Sequence, residues 1–314
     1  MTGVAAPPPL AVAGTRSTFA RQVRSAWRHR ALYLFVAPFA LITCLFGLWP
    51  VVMSIIVAFR DSYTALGDAP VYVGFDNFRH VLGDESFVRS LWATLLFTGI
   101  SVPLNVALAL ALALFLSLQR LARGMPLFVF ALLLPVVTPD VASLVVWKWM
   151  FDQSFGAVNA ALLGLGLPPF GGITRPVPAF VSLLIVELWH HVGFFALIFL
   201  SNIALLDPAL SEAARMDGAG AWARFWNVTL PQLRPAVVIN TVYATIEFLK
   251  TFTAVVVITK GGPNFATNFV SYYAYTKFSA GEYGESTAMA TLLFAVVLGI
   301  SALLYRLSAR AAPA

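Results

Sequence analysis

Glu212-Ala213-Ala214-Arg215-Met216-Asp217-Gly218-Ala219, followed twelve or so residues later by Leu230-Pro231, forms a polar island between two long apolar runs. Its residues describe two short helices joined by a bend. Asp207 can cap the first helix, and Pro208 suits the first helical position, where a missing N–H costs nothing. Gly218 tolerates positive φ where that helix should stop. A second stretch, Ala221 to Val228, carries Trp222 and Phe225 three residues apart on one helical face. Leu230-Pro231 then reads as a helix break, and Pro235 punctuates the entry into the next apolar run. A segment this short and polar is a candidate docking element rather than a membrane span.

Composition places the remainder in the bilayer. Hydrophobic residues make up 60% of the 314 and charged residues 11%, with a mean hydropathy of +0.83. A soluble domain would carry charge on about a quarter of its residues. The single cysteine, Cys44, lies in an apolar run, has no disulfide partner and belongs to no thiol cluster, so a packing role is expected. The net charge of +6 could suggest nucleic acid, but its distribution argues for topology instead. Arg16, Arg21, Arg24, Arg28 and Arg30 precede the first apolar run without an acidic residue among them, the pattern of a cytoplasmic flank.

A window of about 20 residues, enough to cross a hydrocarbon core of roughly 30 Å, places six spans. They fall near residues 32 to 58, 91 to 117, 126 to 150, 179 to 204, 236 to 258 and 286 to 305. The first is too long for a signal-peptide core and is expected to remain as an anchor. Both termini then face the cytoplasm. The inside segments carry Arg120 and Arg123, then Arg215, Arg224 and Arg234, then Arg306 and Arg310. The outside segments are richer in acid: Asp61, Asp68, Asp76, Asp84 and Glu85 before the second span, Glu282 and Glu285 before the sixth. The same bias puts residues 207–234 inside.

The first twenty or so residues, with Pro7 to Pro9 among Ala, Gly, Ser and Thr, cannot bury a core and are expected to be disordered. The arginines after Arg21 can lie along an anionic leaflet as a short basic helix. Residues 1–30 are thus a cytoplasmic tail and residues 31–314 one membrane domain, with no internal repeat or second soluble domain visible.

Around this frame the motifs resemble one family. The run E-A-A, two residues, D-G-A, and a closing L-P is similar to the cytoplasmic EAA loop in the membrane subunits of binding-protein-dependent (type I) ABC importers. Gly74-Phe75-Asp76-Asn77-Phe78, Leu133-Leu134-Pro135, Trp147-Lys148, and Gly156 with Asn159 resemble elements of the carbohydrate-type permeases. Thr259-Lys260-Gly261-Gly262-Pro263, with Thr267 and Tyr272 to Tyr275, is similar to the T-x-G-G-P segment of the partner akin to the larger maltose-transporter membrane subunit. The two glycines and the proline offer no reactive group and are expected to form a turn. Ser201-Asn202-Ile203 departs from the small A-G-L run of many relatives.

The resemblance implies an all-α integral membrane fold of six transmembrane helices with a cytoplasmic coupling-helix loop. It implies a second permease subunit as heterodimer partner, two ATPase subunits and an extracytoplasmic solute-binding protein, in a bacterial-type inner membrane. It also implies that the first loop helix enters a cleft of the ATPase, with Glu212 contacting that partner. Gly218 would shape the turn, and Ala213, Ala214 and Ala219 would permit close approach, Asp217 completing the motif. The solute would be a sugar, an oligosaccharide or a related polyol, with glycerol phosphate as the alternative within the family.

Polar groups inside the spans are expensive unless they face protein or water. Glu247 and Lys250 lie three residues apart and can neutralise each other on one helical face. His190 and His191 follow Glu187 by three and four residues, which allows a local acid–imidazole pair. Two readings stand: internal pairs that stabilise the helices, or the border of a translocation cavity that contacts a polyhydroxylated solute, with Tyr243 and Thr251 adding hydroxyls. No zinc site is expected, because no H-E-x-x-H arrangement or further ligand accompanies these residues.

Catalysis finds no support in the chain. It has no G-x-x-x-x-G-K-[ST] loop to hold ATP, so ATP and magnesium belong to a partner, and no cofactor is expected here. A G-x-S-x-G element is also absent. From a different class, a free-standing secondary transporter or channel would use the intramembrane Glu, Lys and His residues for ion coupling; the EAA-like loop argues against it.

Overall fold

A computed structural model describes residues 30–61, 71–118 and 125–310. The N-terminal tail with its arginines up to Arg28, and Asp68, Arg120 and Arg123, lie outside the described residues. The described residues are helical throughout, with one isolated antiparallel bridge between Arg60 and Tyr72. They divide into two compact units, one ending at Ser54 and one beginning at Ile55.

α1 (Arg30–Ile42) passes through a π-helical stretch, Thr43–Leu48, into α2 (Trp49–Val57), within which the boundary between the units falls. Cys44 is exposed there, not packed as the sequence suggests. From residue 35 to residue 52 this run exposes its apolar side chains, as a lipid-facing helix would.

The second unit continues with α3 (Asp76–Gly83), α4 (Glu85–Leu118), α5 (Met125–Val137), α6 (Asp140–Met150), α7 (Ala157–Gly164) and α8 (Pro176–Ile203). Then come α9 (Pro208–Met216), α10 (Ala221–Arg224), α11 (Leu230–Gln232), α12 (Arg234–Leu249), α13 (Val270–Ser279) and α14 (Tyr283–Arg310). Among the described residues four stretches are long and apolar enough to cross a membrane: Phe35–Val57, Glu85–Leu118, Pro176–Ile203 and Tyr283–Leu307.

The third and fifth expected spans are not single helices. At residues 126–150 the chain bends by 95° between α5 and α6. The ring of Pro139 disfavours helical geometry at Thr138, whose hydroxyl donates back to Leu134 O at 2.6 Å, and Asp140 opens the next helix. At residues 236–258, α12 has 16 residues, about 24 Å, and stops short of a hydrocarbon core of roughly 30 Å. A break after Leu249 leads into a π-helical stretch, Val255–Thr259. Ser271 Oγ donates to Thr251 O at 2.9 Å, satisfying one carbonyl that the break frees.

The helices of the second unit pack through small and aromatic side chains. Phe97 of α4 lies 4.8 Å from Phe269, 5.3 Å from Phe180 and 6.2 Å from Phe248, ring centre to ring centre. Alanines 109, 113, 179, 196, 236 and 244 are buried, which lets helix backbones approach closely. The extreme case is Gly193 of α8, where a β-carbon would lie 2.0 Å from Leu132 O of α5. Any side chain at that crossing would force the two helix backbones apart.

At one end of this unit, polar groups tie α3, α13 and α14 together. Tyr273 Oη donates to Asp84 Oδ2 at 2.5 Å, and Lys277 donates to Glu282 and, at 3.0 Å, to Glu285. Burial alone would pull the Lys277 ammonium down, but these two carboxylates more than offset it and hold the group above its ordinary range. Asn268 Nδ2 donates to Ser90 Oγ at 2.9 Å, and Val270 N to Thr94 Oγ1 at 3.0 Å, fixing the start of α13 against α4. The segment before it forms the expected turn. Lys260 and Gly261 have positive φ, and Thr267 Oγ1 closes the loop on Thr259 Oγ1 and Gly262 O at 2.8 and 2.7 Å.

Candidate functional site

Two groups of residues stand out, one in the polar island and one between helices. In the island, Asp207 accepts from Ala209 N at 2.9 Å and Pro208 begins α9, as the sequence implies. Gly218 takes φ +84° and ends that helix, while Ala219 N reaches back to Ala214 O at 2.9 Å. The following helix starts at Ala221, but Leu230-Pro231 does not break it. Residues Phe225–Thr229 widen to a π-helix, and Leu230 N donates to Phe225 O, five residues back. That wider turn accommodates Pro231, which has no N–H to donate, and the backbone stays helical through Leu230. Trp222 and Phe225 do share a face, with ring centres 6.1 Å apart.

None of the residues in α9 is buried. Glu212, Ala213, Asp217 and Gly218 are exposed, and Ala214 and Ala219 are half-buried. Among the described residues α9 packs chiefly on the helical stretch beyond its turn, Ala221–Arg224 and Phe225–Thr229. Met216 is 88% exposed and Trp222 74%, so this polar segment carries a substantial uncovered apolar surface.

The second group surrounds a cavity of about 190 Å³ between α6, α8 and the break after α12. Glu187, His190, His191, Glu247, Lys250 and Thr251 all line it. Tyr243 joins His190, His191 and Glu247 around an adjoining cavity of about 140 Å³. The residues read from the sequence as a possible solute path are thus brought to one place. His191 Nε2 lies 3.3 Å from Glu187 Oε2, and Lys250 Nζ donates to Glu247 Oε1 at 3.0 Å, the two pairs that helical spacing implies.

His190 turns elsewhere. Its Nε2 lies 3.5 Å from Asp140 Oδ1 of α6, and Asp140 also lines the cavity. Sequence reasoning passed over Asp140, because fifty residues separate it from its partner; its position directly after Thr138-Pro139 was the available signal. Thr251 Oγ1 is buried and has no hydrogen-bond partner. Among the described residues no cluster of three His, Cys, Asp or Glu side chains is arranged to hold a metal ion.

Long apolar helices, a bent apolar stretch and a charged cavity between helices define a polytopic helical membrane protein. Residues 83–312 match the family of binding-protein-dependent transport system inner membrane components, and the chain belongs to that family of ABC-importer permease subunits. It is 30% identical over 269 residues to the trehalose/maltose transport system permease protein MalF of Thermococcus litoralis, covering 86% of this chain and 90% of the relative. The diacetylchitobiose uptake system permease protein DasB of Streptomyces coelicolor is 32% identical over 295 residues, 91% of this chain and 89% of that one. The sn-glycerol-3-phosphate transport system permease protein UgpA of Yersinia pseudotuberculosis is 30% identical, covering 87% and 92%. In fold the chain is similar to a subunit in the crystal structure of a bacterial ABC transporter involved in the import of the acidic polysaccharide alginate. That match has a TM-score of 0.77 at 24% identity and covers 92% of this chain and 99% of the other.

Proposed function

We propose that this chain forms half of the membrane pathway of an ATP-driven importer for a sugar, oligosaccharide or related polyol. Glycerol phosphate is the second reading, since the chain is also similar to UgpA. The chain itself is a permease subunit of a non-catalytic family; hydrolysis of ATP, with its magnesium, falls to two separate ATPase subunits. A second permease completes the pathway, and a solute-binding protein delivers the substrate from outside. The bent stretch at residues 126–150 and the broken stretch at residues 236–258 each count as one span, giving six, with both termini cytoplasmic. Residues 1–30 are then a cytoplasmic tail and residues 31–314 the permease domain.

The observation that carries the mechanism is the exposed segment from Asp207 to Arg234. An importer alternates between inward- and outward-facing states, and ATP biases that equilibrium only through contacts that differ between them. The helix Pro208–Met216, standing clear of the rest of the chain with Met216 uncovered, suits a cleft in the ATPase. Glu212 contacts that partner, Ala213, Ala214 and Ala219 permit close approach, and Asp217-Gly218 set the bend. Glu187, His190, His191, Tyr243, Glu247, Lys250 and Thr251 border the solute path.

The orientation is tested by labelling in intact cells. A cysteine at Asp84 should react with an impermeant thiol reagent and one at Gly220 should not; the reverse pattern would overturn the topology and the docking argument with it. The coupling role is tested by Gly218→Val. A β-carbon at Gly218 meets nothing within 4 Å, so the substitution acts through backbone strain at φ +84°, worth at least about 1–2 kcal/mol. The complex should assemble its spans yet lose ATPase docking, or stimulation of hydrolysis by the loaded binding protein, and uptake should fall in either case. Full association, stimulation and uptake would remove residues 207–234 from the coupling role.

A further inference from the structure

The cavity between α6, α8 and α12 has a charge balance that discriminates among solutes. Asp140, Glu187 and Glu247 contribute three carboxylates and Lys250 the one ammonium, with His190 and His191 beside them. With both imidazoles neutral the lining carries a net charge of −2; with both protonated it carries none. Near neutral pH it is never positive. The usual anchors for an anion are also missing or occupied. No arginine lines the cavity. Lys250 is already paired with Glu247 at 3.0 Å. The positive end of α6 is answered by Asp140, its own first residue.

What the lining offers instead is hydrogen-bond acceptors. Each carboxylate has two oxygens and about four lone-pair sites, and each has one basic neighbour at a single oxygen, an imidazole for Asp140 and Glu187 and the ammonium of Lys250 for Glu247. Thr251 Oγ1, buried and unpartnered, adds a hydroxyl at the same wall. Resting on the reading of this cavity as the solute path, we propose that it takes hydroxylated solutes that are neutral or bear a protonated amino group, and disfavours anionic ones such as uronates and phosphate esters. Sugar hydroxyls donate to the free carboxylate oxygens, an ammonium gains from the net negative wall, and a carboxylate or phosphate meets its repulsion.

The test reads the potential directly in the complete importer, with both permeases and the ATPase in liposomes. Cys44→Ser removes the native thiol, and Thr251→Cys places one at the cavity wall; Thr253→Cys, also on the lining, serves if the first variant does not assemble. Cationic trimethylammonioethyl and anionic sulfonatoethyl methanethiosulfonate are compared, each rate divided by that with a small free thiol. The cationic reagent should be favoured by about tenfold or more, and Asp140→Asn with Glu247→Gln should reduce that preference to within about threefold. A ratio of one or below would overturn the inference. Protection by maltose, by the glucosamine dimer and by digalacturonate separates the inference from the reading beneath it. Protection by the first two but not the third supports both. Equal or better protection by digalacturonate sinks the inference and leaves the solute path standing. Protection by none of the three, or no labelling at either position, removes the solute path and the inference with it.

Discussion

In the segment from Asp207 to Arg234 the side chains available to a partner are uncovered and mostly apolar, whereas around the cavity they are charged and already paired within the chain. Met216 and Trp222 stand in the open, and Glu212 has no ion-pair or hydrogen-bond partner among the described residues. Asp140, Glu187 and Glu247 each have a basic partner within 3.5 Å. The difference follows from the surroundings. A loop in water can leave apolar surface uncovered at modest cost until a partner arrives, but a charge at membrane depth must find an opposite charge or water at once. Under the proposed roles the loop awaits another chain, whereas each cavity carboxylate already has a basic neighbour although the lining as a whole stays net negative while its imidazoles are neutral.

The largest effect should come from neither region but from the crossing that holds the cavity's walls in register. Gly193→Ala puts a methyl group where Leu132 O already sits, and Gly193→Leu cannot be accommodated without separating α5 from α8. Overpacking of this kind costs about 1–3 kcal/mol for small additions. Gly193→Ala should lower the melting temperature of the purified complex, and Gly193→Leu should abolish its assembly while leaving α9 and its bend intact. An assembled, transport-competent Gly193→Leu complex would show that the close contact between α5 and α8 is dispensable, and with it the geometry of the cavity.

An intermediate effect is expected inside the cavity. The Glu247–Lys250 pair was open to two readings, structural or path-lining. The Lys250 side chain is 53% exposed, and an ion pair so exposed contributes about 0–1 kcal/mol. Glu247→Gln should therefore leave assembly and basal ATP hydrolysis near normal and reduce uptake several-fold. A drop in thermal stability with uptake per assembled complex unchanged would restore the structural reading. The comparison between paired cavity and unpaired loop would then be one of folding, not function.

The smallest effect belongs to the loop. Glu212→Ala keeps helix propensity and removes one partner contact, so ATPase affinity should fall by about 0.5–1.5 kcal/mol, far less than the loss from Gly218→Val. Pull-down of the ATPase against a concentration series measures it. A Glu212→Ala defect as severe as that of Gly218→Val would mean that one charge, and not the shape of the bend, carries the coupling.

Sequence alone determined the features whose causes are local. Apolar runs of membrane length, the cap at Asp207, the proline opening α9 and the glycine ending it all depend on residues within a turn or two of one another. The same holds for Glu187 with His191 and Glu247 with Lys250, whose spacing along one helix sets their contact. The tertiary structure decided the rest. Pro231 looked like a terminator, but the π-helical widening before it let the helix continue, and no residue count forecasts which of two compatible backbones packing will choose. Residues 126–150 read as one uninterrupted span, and only the structure shows the 95° bend at Thr138-Pro139 that brings Asp140 to His190. Gly193 is one of 21 glycines in the sequence and is singled out only by a carbonyl sixty-one residues away. Local chemistry can be read along the chain, whereas a juxtaposition exists only once separate helices have been pressed together.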